Sequence, residues 1–282
     1  MQNIHNRQKK IAVLSDVTGF GKCSVAVSLP IISKLRIQCC PVPTAVLSNQ
    51  TAFDSCYIDD YTKRYKPYTD EWEKLRLKFE GIQTGFMNSV RQIENATDFI
   101  SRFGKSNTIV QTDPIMGDDG VSFSFASKEY IEKMRDFIRS SDIITPNLTE
   151  ACMLTDTSWR DRWHLRDIHD IIMKLSEMGP DRIVITGIPS GSYVTNAVYY
   201  GKDVTFVRQK KIGVRRDGTG DIFAAVIIAD AVNGVDFLQS VKRASAFVKK
   251  CLMVSVKMGI PGTDGAAFEE VIDDLRYVHG QV

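Results

Sequence analysis

Asp217-Gly218-Thr219-Gly220-Asp221 runs directly into the apolar stretch Ile222-Phe223-Ala224-Ala225-Val226-Ile227-Ile228. Two glycines let the backbone turn with its N–H groups converging. A helix that starts there presents unpaired donors and the positive end of its dipole. Such a place suits a developing anion. A carboxylate at its mouth has a purpose if it takes a proton from a hydroxyl that attacks phosphorus. Read alone, the same five residues also describe an N-cap acid on a buried helix, so the rest of the chain has to decide between the two.

Working outward, apolar runs of strand length alternate with helix-period segments. Residues 11–15 form a strand, 16–21 a glycine-containing loop and 25–35 a helix. The prolines of 37–47 suit an edge or irregular strand. Residues 51–68 read as loop, with Asp70 capping a helix through Phe79. A short strand and turn is expected at 81–86 and further strands at 108–112, 143–144 and 182–186, with helices over 90–103 and 168–178 and one capped by Ser127 that runs through Arg139. Asn147 and Glu150 open another helix as N-cap and N3 of a capping-box-like start. Residues 160–166 are a surface connection or an extra helical turn, and 193–200 with 204–208 form an antiparallel pair. Helices over 219–231 and 237–257 close the order. Strands alternating with helices over the whole length predict an α/β fold, one mainly parallel sheet covered on both faces, in a single domain over 1–282.

Composition narrows the partners. Of 282 residues, 36 are basic and 34 acidic, a net charge of +2, so no strong field recruits nucleic acid or a membrane surface. Six cysteines lack any C-x-x-C pair, which suits free thiols in a reducing, cytoplasmic setting. The polar start from Met1 to Lys10 has no apolar signal core, and no apolar run reaches the roughly 20 residues of a membrane span. Four histidines without HExxH spacing argue against zinc.

In open parallel sheets, ligands bind beyond the carboxyl ends of the strands. Ser15-Asp16, Asp113 with Asp118, Thr145 with Asn147 and Glu150, Thr186 and the 218–221 loop all fall at such ends. One of these clusters would be helix capping; five on one edge favour a site. Asp113, Asp118, Asn147 and Glu150 are hard oxygen donors suited to Mg²⁺ held largely through water and nucleotide phosphates. Gly218 and Gly220 would bring backbone donors to a transferred phosphoryl group, and Asp221 would act as general base.

These motifs carry a resemblance. Ser15 with Gly19-Phe20-Gly21, Ser48-Asn49-Gln50-Thr51, Gly85-Phe86, Asp113-Pro114-Ile115-Met116-Gly117-Asp118, Thr145-Pro146-Asn147-Leu148-Thr149-Glu150 and Gly218-Thr219-Gly220-Asp221 together look like the ribokinase superfamily, and within it the pyridoxal/pyridoxamine (vitamin B6) kinases. The resemblance covers about residues 11–258. It implies a ribokinase-like fold without a β-lid, a homodimer, and ATP-dependent phosphorylation of the 5′-hydroxymethyl group of pyridoxal, pyridoxamine or pyridoxine. ATP and Mg²⁺ are the implied cofactors, and the need for a monovalent cation stays open. Carried over by position, Ser15 and Thr51 would contact the ring substituents and Phe86 would line the ring pocket. Asp221 would deprotonate the hydroxyl beside the anion hole of Gly218, Thr219 and Gly220. Asp113, Thr145, Thr186 and Thr219 would serve the nucleotide, and Asp113, Asp118, Asn147 and Glu150 the metal and phosphate. Gln50 stands where members commonly have His, and Phe86 where many have Tyr.

The nearest alternative is the related hydroxymethylpyrimidine kinase of thiamin synthesis. Its glycine loop usually reads Gly-Gly-Ala-Gly after Ser-Asp, and this chain keeps only the Ser15-Asp16 part. A dinucleotide fingerprint fails because Ser24 occupies the third glycine position. A P-loop fails because Cys23 follows Lys22.

Overall fold

A computed structural model describes residues 4–213 and 215–278. Met1, Gln2 and Asn3 of the polar start, and His279, lie outside them. A nine-stranded sheet contains β1 (Lys10–Thr18), β2 (Gln38–Leu47), β3 (Ile58–Asp60), β4 (Gly81–Thr84), β5 (Ile109–Thr112), β8 (Ile143–Ile144), β9 (Arg182–Ser190), β10 (Tyr193–Tyr200) and β11 (Asp203–Lys210). Its order is β11-β10-β9-β8-β5-β4-β1-β2-β3. The run from β9 to β2 is parallel, whereas β10, β11 and β3 join antiparallel. A separate small hairpin pairs β6 (Gly117–Asp118) with β7 (Val121–Ser122).

Strand side chains alternate between the two faces, which fixes which helices cover them. Ala12 and Leu14 point into the core under α2 (Tyr65–Lys74), α3 (Val90–Phe103), α4 (Lys128–Ile138), α5 (Leu148–Leu154) and α6 (Leu165–Ser176). Ile11 and Val13 point into the opposite core, built by α1 (Ser24–Lys34), α7 (Thr219–Val232) and α8 (Phe237–Lys257). The α7 run from Ile222 to Asp230 is buried at every position, so this helix lies between the sheet and its neighbours α1 and α8. Among the described residues, no helix is long and apolar enough to cross a membrane.

Several expectations change. β2 is not the outermost strand, because β3 pairs beyond it over Ala45–Leu47, but it is irregular as the alternative expected, with its register against β1 shifting between Ser15 and Val17. Its prolines are still explained: Pro41 and Pro43 lie beyond the stretch that β3 covers, and the Pro41 carbonyl accepts from the Tyr68 hydroxyl at 2.9 Å, so an N–H missing there leaves no ladder bond unmade. Residues 51–68 are not all loop; they hold β3, a 3₁₀ turn over Thr62–Arg64 and the start of α2. Asp70 is not a cap, and its helix ends at Lys74 rather than Phe79. It sits inside α2, where Lys66 one turn earlier and Arg102 of α3 both pair with it. β9 also continues past Gly187 to Ser190, because β10 pairs along its whole length.

Candidate active site

Two helix N-termini meet at the carboxyl edge of the sheet. Gly218 is the N-cap of α7 with φ +75° and ψ −1°. A Cβ on it would lie 1.7 Å from the Lys22 carbonyl oxygen, so only glycine lets α7 start this close to the chain leading into α1. The Thr219 hydroxyl donates to the Arg216 carbonyl at 3.3 Å and closes the turn. Asp221 lies in the first turn of α7, which starts against the chain leading into α1.

Asp221 is half-buried. Loss of water pushes its carboxyl up to about 7; the Ser24 N–H opposes this, and the nearby acids Asp113, Asp16 and Asp217 add to it. Asp16 is 3% exposed and accepts from the Thr18 and Ser15 hydroxyls, and burial raises its pKa as well. Sequence reasoning noted Ser15-Asp16 but gave a role only to Ser15; Asp16 was legible as a strand-end acid, whereas Ser24 carried no signal.

Across the cleft, Asp113 leaves the end of β5, and its Oδ2 is 4.0 Å from where Gly220 would carry a Cβ. Thr145 Oγ1 donates to Asp113 Oδ1 at 3.3 Å. Glu150 is buried and completes the capping box: its Oε2 accepts the Asn147 N–H at 2.8 Å, and Asn147 Oδ1 accepts the Glu150 N–H at 2.9 Å. Glu150 Oε1 also accepts the Met116 N–H at 3.2 Å. Burial raises both Asp113 and Glu150, and the Asp113 charge raises Glu150 further, against the backbone N–H groups that hold it. Positive charge entering the cleft would lower both.

The expected residues are brought together unevenly. Thr145 is bonded to Asp113 and Asn147 to Glu150, while Asp221 feels the Asp113 charge and Glu150 does too; Thr186 is tied to this edge by donating its N–H to the Pro146 carbonyl at 2.8 Å. The Asn147 amide is committed, with Nδ2 donating to the Gly117 carbonyl at 2.8 Å. Asp118 is engaged by Arg215, which also holds Asp119, so its carboxylate is drawn to the rim. Ser15 Oγ accepts the Phe86 N–H at 3.1 Å, and the Phe86 ring meets Phe125 edge-on at 5.4 Å between centroids. Thr51 is exposed in the loop after β2. Gln50 is buried beside Gly21 and donates to the Thr263 carbonyl, so it ties two loops together. Among the described residues, no group of three or more His, Cys, Asp and Glu side chains gathers to hold a metal.

Known proteins are similar to this chain in sequence and fold. The sequence model of the phosphomethylpyrimidine kinase family matches residues 74–264. The hydroxymethylpyrimidine/phosphomethylpyrimidine kinase of Aquifex aeolicus is 27% identical over 195 residues, 66% of this chain and 74% of its own. The pyridoxal kinase of Bos taurus is 26% identical over 181 residues, 54% of each chain. A candidate phosphomethylpyrimidine kinase from Bacteroides thetaiotaomicron superposes with a TM-score of 0.93 at 32% identity, covering 96% of this chain and 94% of that one. An orthorhombic form of it with pyridoxal gives 0.90 at 31% identity, over 95% and 96%. With a family match over most of its length and a near-complete overlap with a solved relative, the chain belongs to the phosphomethylpyrimidine kinase family of the ribokinase superfamily.

Proposed function

We propose that this kinase transfers the γ-phosphoryl group of ATP to the 5′-hydroxymethyl group of a B6 vitamer: pyridoxal, pyridoxamine or pyridoxine. The observation that carries the reading is the position of Asp221. It sits in the first turn of α7, beneath the Gly218–Gly220 N-terminus and opposite Asp113, with its carboxyl held near neutrality. A base with a pKa near the working pH is the most efficient proton acceptor. In this reading Asp221 takes the proton of the acceptor hydroxyl as its oxygen bonds to the γ-phosphorus and the bond to ADP breaks. The N–H groups of Gly218, Thr219 and Gly220 hold the charge that develops.

The donor set fits Mg²⁺. Burial of the carboxyl raises half-exposed Asp113 and buried Glu150, the Thr145 hydroxyl bonds Asp113, and among the described residues too few side chains gather for an all-protein cage. That suits an ion held mainly through water and phosphate. When bound, Mg²⁺ would neutralise phosphate charge; Asp113, with Glu150 and Asn147 behind it and Asp118 at the rim, would hold it. Thr145, Thr186 and Thr219 would orient the nucleotide. Ser15, Thr51 and Phe86 would meet the ring. The reading includes one domain, a homodimer and a cytoplasmic location.

Pyridoxal in the Bacteroides relative supports a pyridine acceptor. The family match and the Aquifex relative support a second reading, phosphorylation of a hydroxymethylpyrimidine. ADP release with Mg²⁺·ATP, measured separately on pyridoxal, pyridoxamine, pyridoxine, 4-amino-5-hydroxymethyl-2-methylpyrimidine and ribose, separates them. Turnover of a B6 vitamer is the expected result. Turnover of the pyrimidine alone selects the second reading, and turnover of ribose alone overturns both.

A further inference from the structure

Of the acids Asp113, Asp118, Glu150 and Asp221, Asp118 alone is ion-paired among the described residues, and its partner is Arg215. The Arg215 guanidinium forks over two carboxylates, with Nη2 donating to Asp118 and Nη1 to Asp119. Both acids belong to the β6–β7 hairpin, whereas Arg215 lies just before Gly218, so the pair bridges the hairpin to the chain that enters α7. Two other cations beside that turn are engaged elsewhere. Lys22 pairs with Glu269 at 3.5 Å, and buried Arg216 donates Nη1 to the Pro261 carbonyl at 2.8 Å.

The two sides of the bridge are unequally fixed. The hairpin is anchored: the Gly120 N–H donates to Thr149 Oγ1 at 2.9 Å, Asn147 Nδ2 donates to the Gly117 carbonyl, and the Asp119 N–H donates to Asp118 Oδ1 at 2.8 Å. The Arg215 side chain is 55% exposed, and among the described residues the two acids are its only side-chain partners. An ion pair this open to water is weak. A guanidinium fork matches phosphate oxygens as well as it matches carboxylates.

We infer that Arg215 is a phosphate-binding residue of the nucleotide site, parked in the free protein on Asp118 and Asp119. This rests on the reading of the cleft as the place of ATP. Arg215 exchanges the two carboxylates for phosphate oxygens when the nucleotide enters, and Asp118 is thereby released toward the cleft. Asp119 is then a competitor for the cation. Removing a ligand and removing its competitor act in opposite directions, whereas the two halves of a merely structural pair act alike.

The test is calorimetric titration with Mg²⁺·ATP, without acceptor, of the unaltered protein, Arg215→Ala, Asp119→Asn and the double variant, with thermal melting alongside. Arg215→Ala should bind ATP about 10- to 100-fold more weakly. Asp119→Asn should bind it about two- to fivefold more tightly. Asparagine tolerates the φ of +47° at this position, so the turn is kept. The double variant should match Arg215→Ala, because a competitor matters only while the cation is there. If the alanine variant fails to fold, Arg215→Lys carries the test; it keeps the charge without the fork and should still bind more weakly than the unaltered protein. Unchanged affinity in the Arg215 variants overturns the inference alone, and so does any result in which Asp119→Asn fails to tighten binding. An unaltered protein that does not bind ATP overturns the nucleotide reading and the inference with it.

Discussion

The carbonyl oxygen of Lys22 lies 1.7 Å from the point where a side chain on Gly218 would begin. The first turns of α1 and α7 are therefore one packed unit. Gly218→Ala must meet both this collision and a φ of +75°. It should cost more than about 2 kcal/mol of stability and most of the activity, because the turn that presents the N–H groups has to move. Denaturant melting beside a turnover assay checks it; a stable, active variant would mean that the two helix starts can separate.

Raising the Asp221 carboxyl from an ordinary 3.8 to about 7 sets a pH profile. The base form is lost as pH falls through 7, so kcat/KM should fall about tenfold per unit below that point and level off above it. Stability runs the other way. The folded protein holds this proton more tightly than the unfolded chain, so the contribution is complete below 3.8 and is lost as pH rises to about 7. The melting temperature of Asp221→Asn should therefore gain on the unaltered protein as pH is raised from about 5 to about 8.

Glu150 has both carboxylate oxygens committed to backbone N–H groups of Asn147 and Met116. In Glu150→Gln one of these donors faces an amide NH₂, a mismatch worth about 1–3 kcal/mol. A lower melting temperature is expected, together with a higher Mg²⁺ concentration for half-maximal rate, since a charge beside Asp113 is gone. A lower melting temperature with an unchanged metal titration would leave Glu150 as a cap and nothing more.

Where the chain announces its structure through apolar runs, its fold is readable. β5 and β8 end at the expected Thr112 and Ile144, and α8 starts and stops at the expected Phe237 and Lys257, whereas β1 runs past the expected Ser15 through Asp16 to Thr18, since β2 pairs beside it to Leu47. Asp70 misleads because an acid ahead of an apolar-periodic run looks like a cap, whereas α2 begins at Tyr65 without a side-chain cap, and Asp70 is spent on Lys66 and Arg102. β3 has three residues, two of them acids, too short for any period to show. Asp113, Thr145 and Asp221 were legible as polar residues at strand ends or beside glycines. Ser24 was not, because its left-handed φ of +53° is not encoded by residue type.

Asp221→Asn, assayed for turnover of the preferred acceptor with nucleotide affinity measured in parallel, tests the central claim most directly. The account predicts a fall in kcat of roughly 10²–10⁴-fold with nucleotide affinity nearly intact. Near-normal turnover in that variant would contradict it.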